Sequence, residues 1–215
     1  MKRALASVAI LRWCKGLFLG SMKFPTYSKD TARRVSKSTD RVRYASFGLA
    51  LETIEREGIP GSLAELGVWR GVTSSFIHSR FPGRPFYLFD TFSGFPGKHA
   101  PDNRFRDTST QLVRRTIGDC SNVLFRVGNF PETACGLESE HFAFVLIDVD
   151  KYESTLAGLK FFYPRMAQGA YVFVHDYNSA EERGVSRAVN EFLSGKPEKI
   201  IEIPDVWGSV VFRKM

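Results

Sequence analysis

Five apolar runs set the limits on what this chain can fold into: residues 62–68, 85–92, 122–130, 142–150 and 169–177. None alternates polar with apolar residues. A strand with one wet face alternates, whereas a strand covered on both faces is apolar throughout. The stretches between the runs carry helical spacing. Residues 38–58 place Tyr44, Phe47, Leu51 and Ile54 on one face and stop at Gly58, while 72–81, 109–117, 152–166 and 184–195 suit further helices. Strands alternating with helices predict an α/β protein with a doubly wound, mostly parallel sheet and helices on both faces. One or two last strands are expected in residues 200–215.

Such sheets bind ligands beyond the carboxyl ends of their strands, so the polar residues closing each run are the ones to inspect. The first run ends in Glu65, Gly67 and Gly71, an E-x-G-x-x-x-G spacing. Glycine lets backbone come close to a ligand, or merely packs a helix on a sheet. Neither GxGxxG nor GxxxxGK[ST] is present. The second run ends in Asp90, 25 residues after Glu65. An acid there is placed to hold ribose hydroxyls, or else to cap local backbone N–H groups. The fourth run ends in Asp148 and Asp150, and the fifth in His175 and Asp176. Adjacent parallel strands would bring Asp148, His175 and Asp176 to one mouth, to hold a divalent metal, to act in catalysis, or to form an ion-pair network with Arg183, Arg187 or Lys151. His78, His99 and His141 read as structural or solvent-facing.

Charge narrows the function classes. The chain carries a net +7, but residues 1–43 contain eleven Lys or Arg and only Asp30 and Asp40 as acids. The body is therefore nearly neutral, which argues against nucleic acid as a partner. Residues 1–37 read as a basic helical extension and 38–215 as the main domain. Leu5, Ile10, Leu11, Trp13, Leu17 and Phe18 could dock on the body, on a partner chain or weakly on an anionic membrane surface. Arg12 and Lys15 break the apolar runs well short of the roughly 18 residues of a spanning helix. The three cysteines, Cys14, Cys120 and Cys135, form no CxxC, so a reducing cytoplasm is the expected setting.

The blocks GIPGSLAELGVWRGV, FDTFSGFP, VLFRVGNFPETA, LIDVDKYESTLAGLKFFYPRM and VHDYNSAEERGVSRAV resemble the macrocin O-methyltransferase family, in order from about residue 40 to the C-terminus. The resemblance implies a class I, Rossmann-like methyltransferase domain that uses S-adenosylmethionine to methylate a hydroxyl of a small, often glycosylated, acceptor. It implies that Glu65, Gly67, Trp69, Arg70, Gly71 and Thr73 form the first cofactor loop, that Asp90 holds the ribose, and that Gly128, Asn129 and Phe130 lie near the adenine or methionine part. It also implies a divalent cation such as Mg²⁺ at Asp148, His175 and Asp176, and a dimer. His175 departs from the family's Asp-Asp pair, which leaves open magnesium on fewer ligands, another metal, or no metal with His175 as base. The loop from Ser93 to Thr108 is the expected lid, with Tyr44, Phe92, His99 and Tyr177 as candidate acceptor contacts. Other readings are a nicotinamide-dependent oxidoreductase, a non-catalytic nucleoside-binding module on the same fold, and an RNA methyltransferase.

Overall fold

A computed structural model describes residues 28–118 and 120–215. The expected membrane-facing or docking segment before residue 28 lies outside the described residues. The elements run α1 (Lys29–Lys37), α2 (Arg41–Arg56), β1 (Ser62–Leu66), α3 (Val72–Arg80), β2 (Phe86–Asp90), α4 (Thr110–Ile117), β3 (Val123–Val127), β4 (Phe142–Ile147), α5 (Tyr152–Phe162), β5 (Met166–Val174), α6 (Gly184–Leu193), β6 (Ile201–Ile203) and β7 (Ser209–Arg213). Among the described residues, no helix is long and apolar enough to cross a membrane.

The strands form one sheet in the order β3-β2-β1-β4-β5-β7-β6. The first five are mutually parallel, and β7 runs antiparallel to both β5 and β6. The doubly wound α/β expectation is met, with the antiparallel hairpin at one edge. Every residue of β1 and β4 is buried, as their unbroken apolar character predicts.

Aromatic side chains fill both layers beside the sheet. Phe47 of α2 meets Phe144 and Phe173 edge-on at 6.0 and 4.9 Å between ring centroids. Phe162 of α5 meets Phe89 and Phe142 at 5.7 and 5.1 Å. Phe142 and Phe144 would share a face in a regular strand. An irregularity in the pairing of β4 between them sends one to each layer.

Local sequence explains the helix starts. Ser28 caps α1, Asp40 caps α2 and Ser109 caps α4, each accepting from a backbone N–H three residues on. Helix α1 is seated on the body through the fully buried Val35, and Ser28 N–H donates to Glu52 Oε1 at 2.9 Å.

The strands are offset from the apolar runs. β1 and β4 stop two to three residues early, and β5 both starts and stops three residues early. The expected helix over 152–166 ends at Phe162, and a 3-10 turn at Tyr163–Arg165 leads directly into β5.

Candidate active site

The residues that follow the shortened strands build the site. Among the described residues, six non-glycine residues have positive φ. Trp69 (47°) follows β1, Phe92 (52°) follows β2, Asp150 (60°) follows β4 and Asp176 (63°) follows β5. The others are Phe105 in the 93–108 loop and Trp207 in the β6–β7 turn. Left-handed backbone is costly for such residues and clusters at functional sites. Here it turns the chain sharply at four adjacent strand ends along one edge of the sheet.

The two glycines of the first loop answer to the protein's own packing. A Cβ on Gly67 would fall 1.8 Å from the Asp148 carbonyl oxygen, and one on Gly71 would fall 2.7 Å from Val113 Cγ1. Both have positive φ, 92° and 74°. Gly67 thus brings the loop after β1 hard against the loop after β4, and Gly71 starts α3 with left-handed backbone.

Asp90 holds that loop in shape. Its Oδ2 accepts from the N–H of Val68 (2.8 Å) and Trp69 (2.9 Å), and its Oδ1 from Phe92 N–H (2.7 Å). The backbone-capping role weighed from sequence is therefore present. A carboxylate accepts about four bonds, so capacity remains for a ligand hydroxyl.

Glu65 is 1% exposed and accepts from Ser74 Oγ of α3. Burial pushes its carboxyl well above the usual carboxylate range; the Ser74 bond offsets part of this, and the charges of Asp148 and Asp90 add to it. Thr73 Oγ1 lies 3.2 Å from Tyr44 OH, and Tyr44 packs edge-on against Phe76, so its role as a core-helix residue stands. Trp69 is 41% exposed at the mouth, with Arg70 stacked on its ring at 4.8 Å. Gly128 N–H donates to Asp90 O at 2.9 Å, and Asn129 O accepts from Thr133 N–H at 3.0 Å. Phe130 packs against Phe89, Phe161 and Phe162 in the layer below.

The acid pocket lies beside this loop. Asp148, His175 and Asp176 each offer a ligand atom, all within 4.8 Å of one another. His175 Nδ1 stands 3.1 Å from Asp148 Oδ1 and 2.9 Å from Asp176 Oδ2, and its Nε2 is 3.0 Å from the Val206 carbonyl. Arg43 Nη2 also meets Nε2. That contact requires a neutral ring, whereas acceptors at both nitrogens favour a charged one. Two carboxylates at Nδ1 outweigh a guanidinium already shared with Asp40 and Asp205. Burial works against charging the ring, but the charges and hydrogen bonds of Asp148 and Asp176 push its pKa up to about 10. Burial pushes Asp148 up in turn, yet His175 and Arg43 hold it below the usual range.

These residues also fit a divalent cation. Two carboxylates and one imidazole are a suitable donor set, and an imidazole among them favours Mn²⁺, Fe²⁺ or Zn²⁺ over Mg²⁺. The Val206 carbonyl beside Nε2 is the partner that a metal-bound imidazole uses to fix its orientation.

Asp150 is the acid whose role sequence spacing missed. Its left-handed backbone breaks the strand alternation and turns its carboxyl toward Asp176. Burial, the bond to Asp176 and the charges of Asp148, Asp176 and Glu182 push its pKa up to about 8. Its Oδ2 is buried without a hydrogen-bond partner, and the Arg104 guanidinium is 3.6 Å away.

The 93–108 loop covers this group and is fastened at both sides. Arg104 Nη2 bonds Asp102 Oδ2 at 2.7 Å and Glu182 Oε1 at 2.5 Å, and Lys151 bonds Glu182 Oε1 at 3.1 Å. Toward β1, Trp69 Nε1 donates to Asp107 Oδ1 at 2.7 Å, Arg70 pairs with Asp107, and Phe105 stands edge-on to Trp69 at 5.6 Å. His99 sits in this loop 3.5 Å from Glu153. Phe92 packs toward Phe125, and Tyr177 OH donates to Asn190 Oδ1. His78 is buried against Asn122, away from the pocket.

Fold and strand-end cluster together define a Rossmann-like O-methyltransferase fold. Solved structures share it. NovP, an O-methyltransferase, superposes with a TM-score of 0.70 and 25% identity over 81% of this chain and 80% of its own. CalS11, a calicheamicin methyltransferase, gives 0.60 at 18% identity over 86% and 90%. Residues 26–214 match the macrocin-O-methyltransferase (TylF) family, and the chain belongs to it. Among curated relatives, the 8-demethyl-8-(2,3-dimethoxy-alpha-L-rhamnosyl)-tetracenomycin-C 4'-O-methyltransferase of Streptomyces olivaceus is 31% identical over 163 residues. That match spans 66% of this chain and 60% of the relative's length. The mycinamicin III 3''-O-methyltransferase of Micromonospora griseorubida is 28% identical over 71% of this chain and 69% of its own.

Proposed function

We propose that the chain is an S-adenosylmethionine-dependent O-methyltransferase acting on a hydroxyl of a sugar or another small natural-product acceptor. The observation that carries this reading is the convergence of Glu65, Asp90, Asp148, Asp150 and Asp176 at the carboxyl edge of one parallel sheet, beneath a fastened loop. Family membership supports the reaction, and the rhamnosyl-tetracenomycin and mycinamicin III relatives support a glycosylated acceptor.

Glu65, Gly67, Trp69, Arg70, Gly71 and Thr73 would receive the methionine part and ribose of the cofactor. Asp90 would take a ribose hydroxyl with its remaining lone pairs, and Gly128, Asn129 and Phe130 would border the adenine. The acceptor oxygen attacks the sulfonium methyl in line. One C–O bond forms, one C–S bond breaks, and S-adenosylhomocysteine leaves. The acceptor's proton passes to Asp150, whose pKa of about 8 lies near working pH. Asp148, His175 and Asp176 position that base, His175 bridging the two carboxylates and Asp176 bonding Asp150. A divalent cation, when bound by Asp148, His175 and Asp176, would lower the acceptor hydroxyl's pKa. Positioning under the 93–108 loop supplies much of the remaining acceleration.

The family resemblance is the ground for a dimer, the lack of a CxxC pattern the ground for a cytoplasmic setting, and the run of Lys and Arg the ground for residues 1–37 as a basic extension weakly drawn to an anionic surface. The test of function is transfer of a tritiated methyl from S-adenosylmethionine to a panel of rhamnosylated and other deoxysugar glycosides. Label recovered on a sugar oxygen is the expected result. Label on nitrogen, or none across the panel while S-adenosylhomocysteine binds, would remove the sugar-acceptor reading.

A further inference from the structure

We propose that Arg43 is a resident cation of the acid pocket and that any divalent ion must compete with it. Arg43 leaves the first turn of α2 and reaches across the mouth. Its Nε lies 3.2 Å from Asp205 Oδ2 and 3.5 Å from Asp40 Oδ2. Its Nη2 donates to the Val206 carbonyl at 3.0 Å and meets His175 Nε2. Its Nη1 stands 3.9 Å from Asp148 Oδ2. One permanently charged side chain thus faces two of the three groups that would hold a metal, Asp148 and His175, and the Val206 carbonyl that orients His175.

Arg43 is not free to withdraw. Its side chain is 14% exposed, and that of Asp205 is fully buried. Asp205 is itself fixed by Ser209, whose N–H and Oγ donate to it at 2.5 and 2.6 Å. Asp40 is held by the N–H of Val206 at 2.9 Å. The guanidinium is therefore clamped between the start of α2 and the β6–β7 turn. A dication among Asp148, His175 and Asp176 would sit a few ångströms from this charge. Water and salt screen such partly buried charges less than exposed ones, so the repulsion opposes entry of the ion. Arg43 also already supplies Asp148 with the opposite charge that a metal would bring.

This inference rests on Asp148, His175 and Asp176 being the cation pocket, and its test is independent of methyl transfer. Mn²⁺ is titrated into the full chain, and the free ion is followed by its EPR signal. The wild type is compared with Arg43→Met, Arg43→Lys and the double variant Arg43→Met/Asp148→Asn. The expected result is that Arg43→Met binds Mn²⁺ at least tenfold tighter than wild type. Arg43→Lys stays near wild type, and Asp148→Asn removes the gain. Where Arg43→Met fails to fold, Arg43→Met/Asp205→Asn removes the buried charge left behind and carries the same expectation. Equal or weaker binding by the folded Met variant, a gain that survives Asp148→Asn, or no Mn²⁺ binding by either protein overturns the proposal. A parallel S-adenosylhomocysteine titration keeps failure of the cofactor reading distinct from failure of this one.

Discussion

Replacing Asp90 by Asn isolates what holds the first loop together. The carboxylate accepts from three backbone donors, Val68 and Trp69 on one oxygen and Phe92 on the other. An amide keeps only one oxygen. Turned toward Val68 and Trp69, it converts two charge-assisted bonds into neutral ones, about 1 kcal/mol each. Its NH2 then faces the N–H of Phe92, a donor against a donor, at about 1–3 kcal/mol. The side chain is only half-buried, and water relieves part of the last cost, so roughly 2–3 kcal/mol of stability is lost. For a domain of this size that lowers Tm by roughly 4–12 °C. The assay is thermal unfolding followed by circular dichroism, with S-adenosylhomocysteine affinity by calorimetry on the folded variant. Spreading of the loop predicts at least a tenfold loss of affinity, equivalent to about 1.4 kcal/mol. A Tm within about 1 °C of wild type would refute the reasoning, since it would show that the three bonds do not hold the loop.

Glu65→Gln should stabilise the protein at pH 8, with the difference vanishing near pH 4. The folded carboxyl is held above its unfolded pKa, so its contribution is present at low pH and lost as pH rises. Urea melts at the two pH values check this, and a variant less stable at pH 8 would contradict it. Asp150→Asn should lower kcat by about 10²–10⁴ while S-adenosylhomocysteine binding stays within twofold. In the wild type, kcat/KM should rise with pH and level off above about 8, as the base of raised pKa deprotonates; a profile flat between pH 6 and 9 would remove Asp150 as base. Gly67→Ala should cost about 3 kcal/mol or more, because the new Cβ overlaps the Asp148 carbonyl in left-handed backbone; an unchanged urea midpoint counts against that packing. Arg104→Ala should change stability by less than about 1 kcal/mol, since the Arg104 side chain is 42% exposed and water screens its pairs with Asp102 and Glu182. It should nevertheless speed tryptic cleavage within 93–108, and unchanged cleavage would show that the loop is fastened elsewhere.

The parallel sheet, the strand order of chemistry and the family were legible because they depend on local pattern. Burial on both faces writes itself into unbroken apolar runs, and ligand-facing acids punctuate their ends. Strand ends were misplaced by two or three residues, because the left-handed turns at Trp69, Asp150 and Asp176 look like continuing strand to a pattern of apolarity. The same turns hid how Asp150 meets Asp176. Arg43 and the Val206 carbonyl were out of reach for another reason. They lie 163 residues apart in sequence and meet His175 only through the folding of the β6–β7 hairpin over α2. Arg104 reads as one charge among many until the loop is seen lying on Asp150. Gly67 and Gly71 stand out in the sequence by their spacing. Their cause is contact with Asp148 and Val113, which no spacing rule contains.

The central claim is that the loop after β1, held by Asp90, receives the nucleoside part of S-adenosylmethionine. Calorimetric titration of S-adenosylhomocysteine into the full chain, with NAD as the control, tests it most directly. The account predicts one saturable site for S-adenosylhomocysteine, weakened at least tenfold by Asp90→Asn, and no binding of NAD. Absence of S-adenosylhomocysteine binding by correctly folded protein, with or without Mn²⁺, would contradict it.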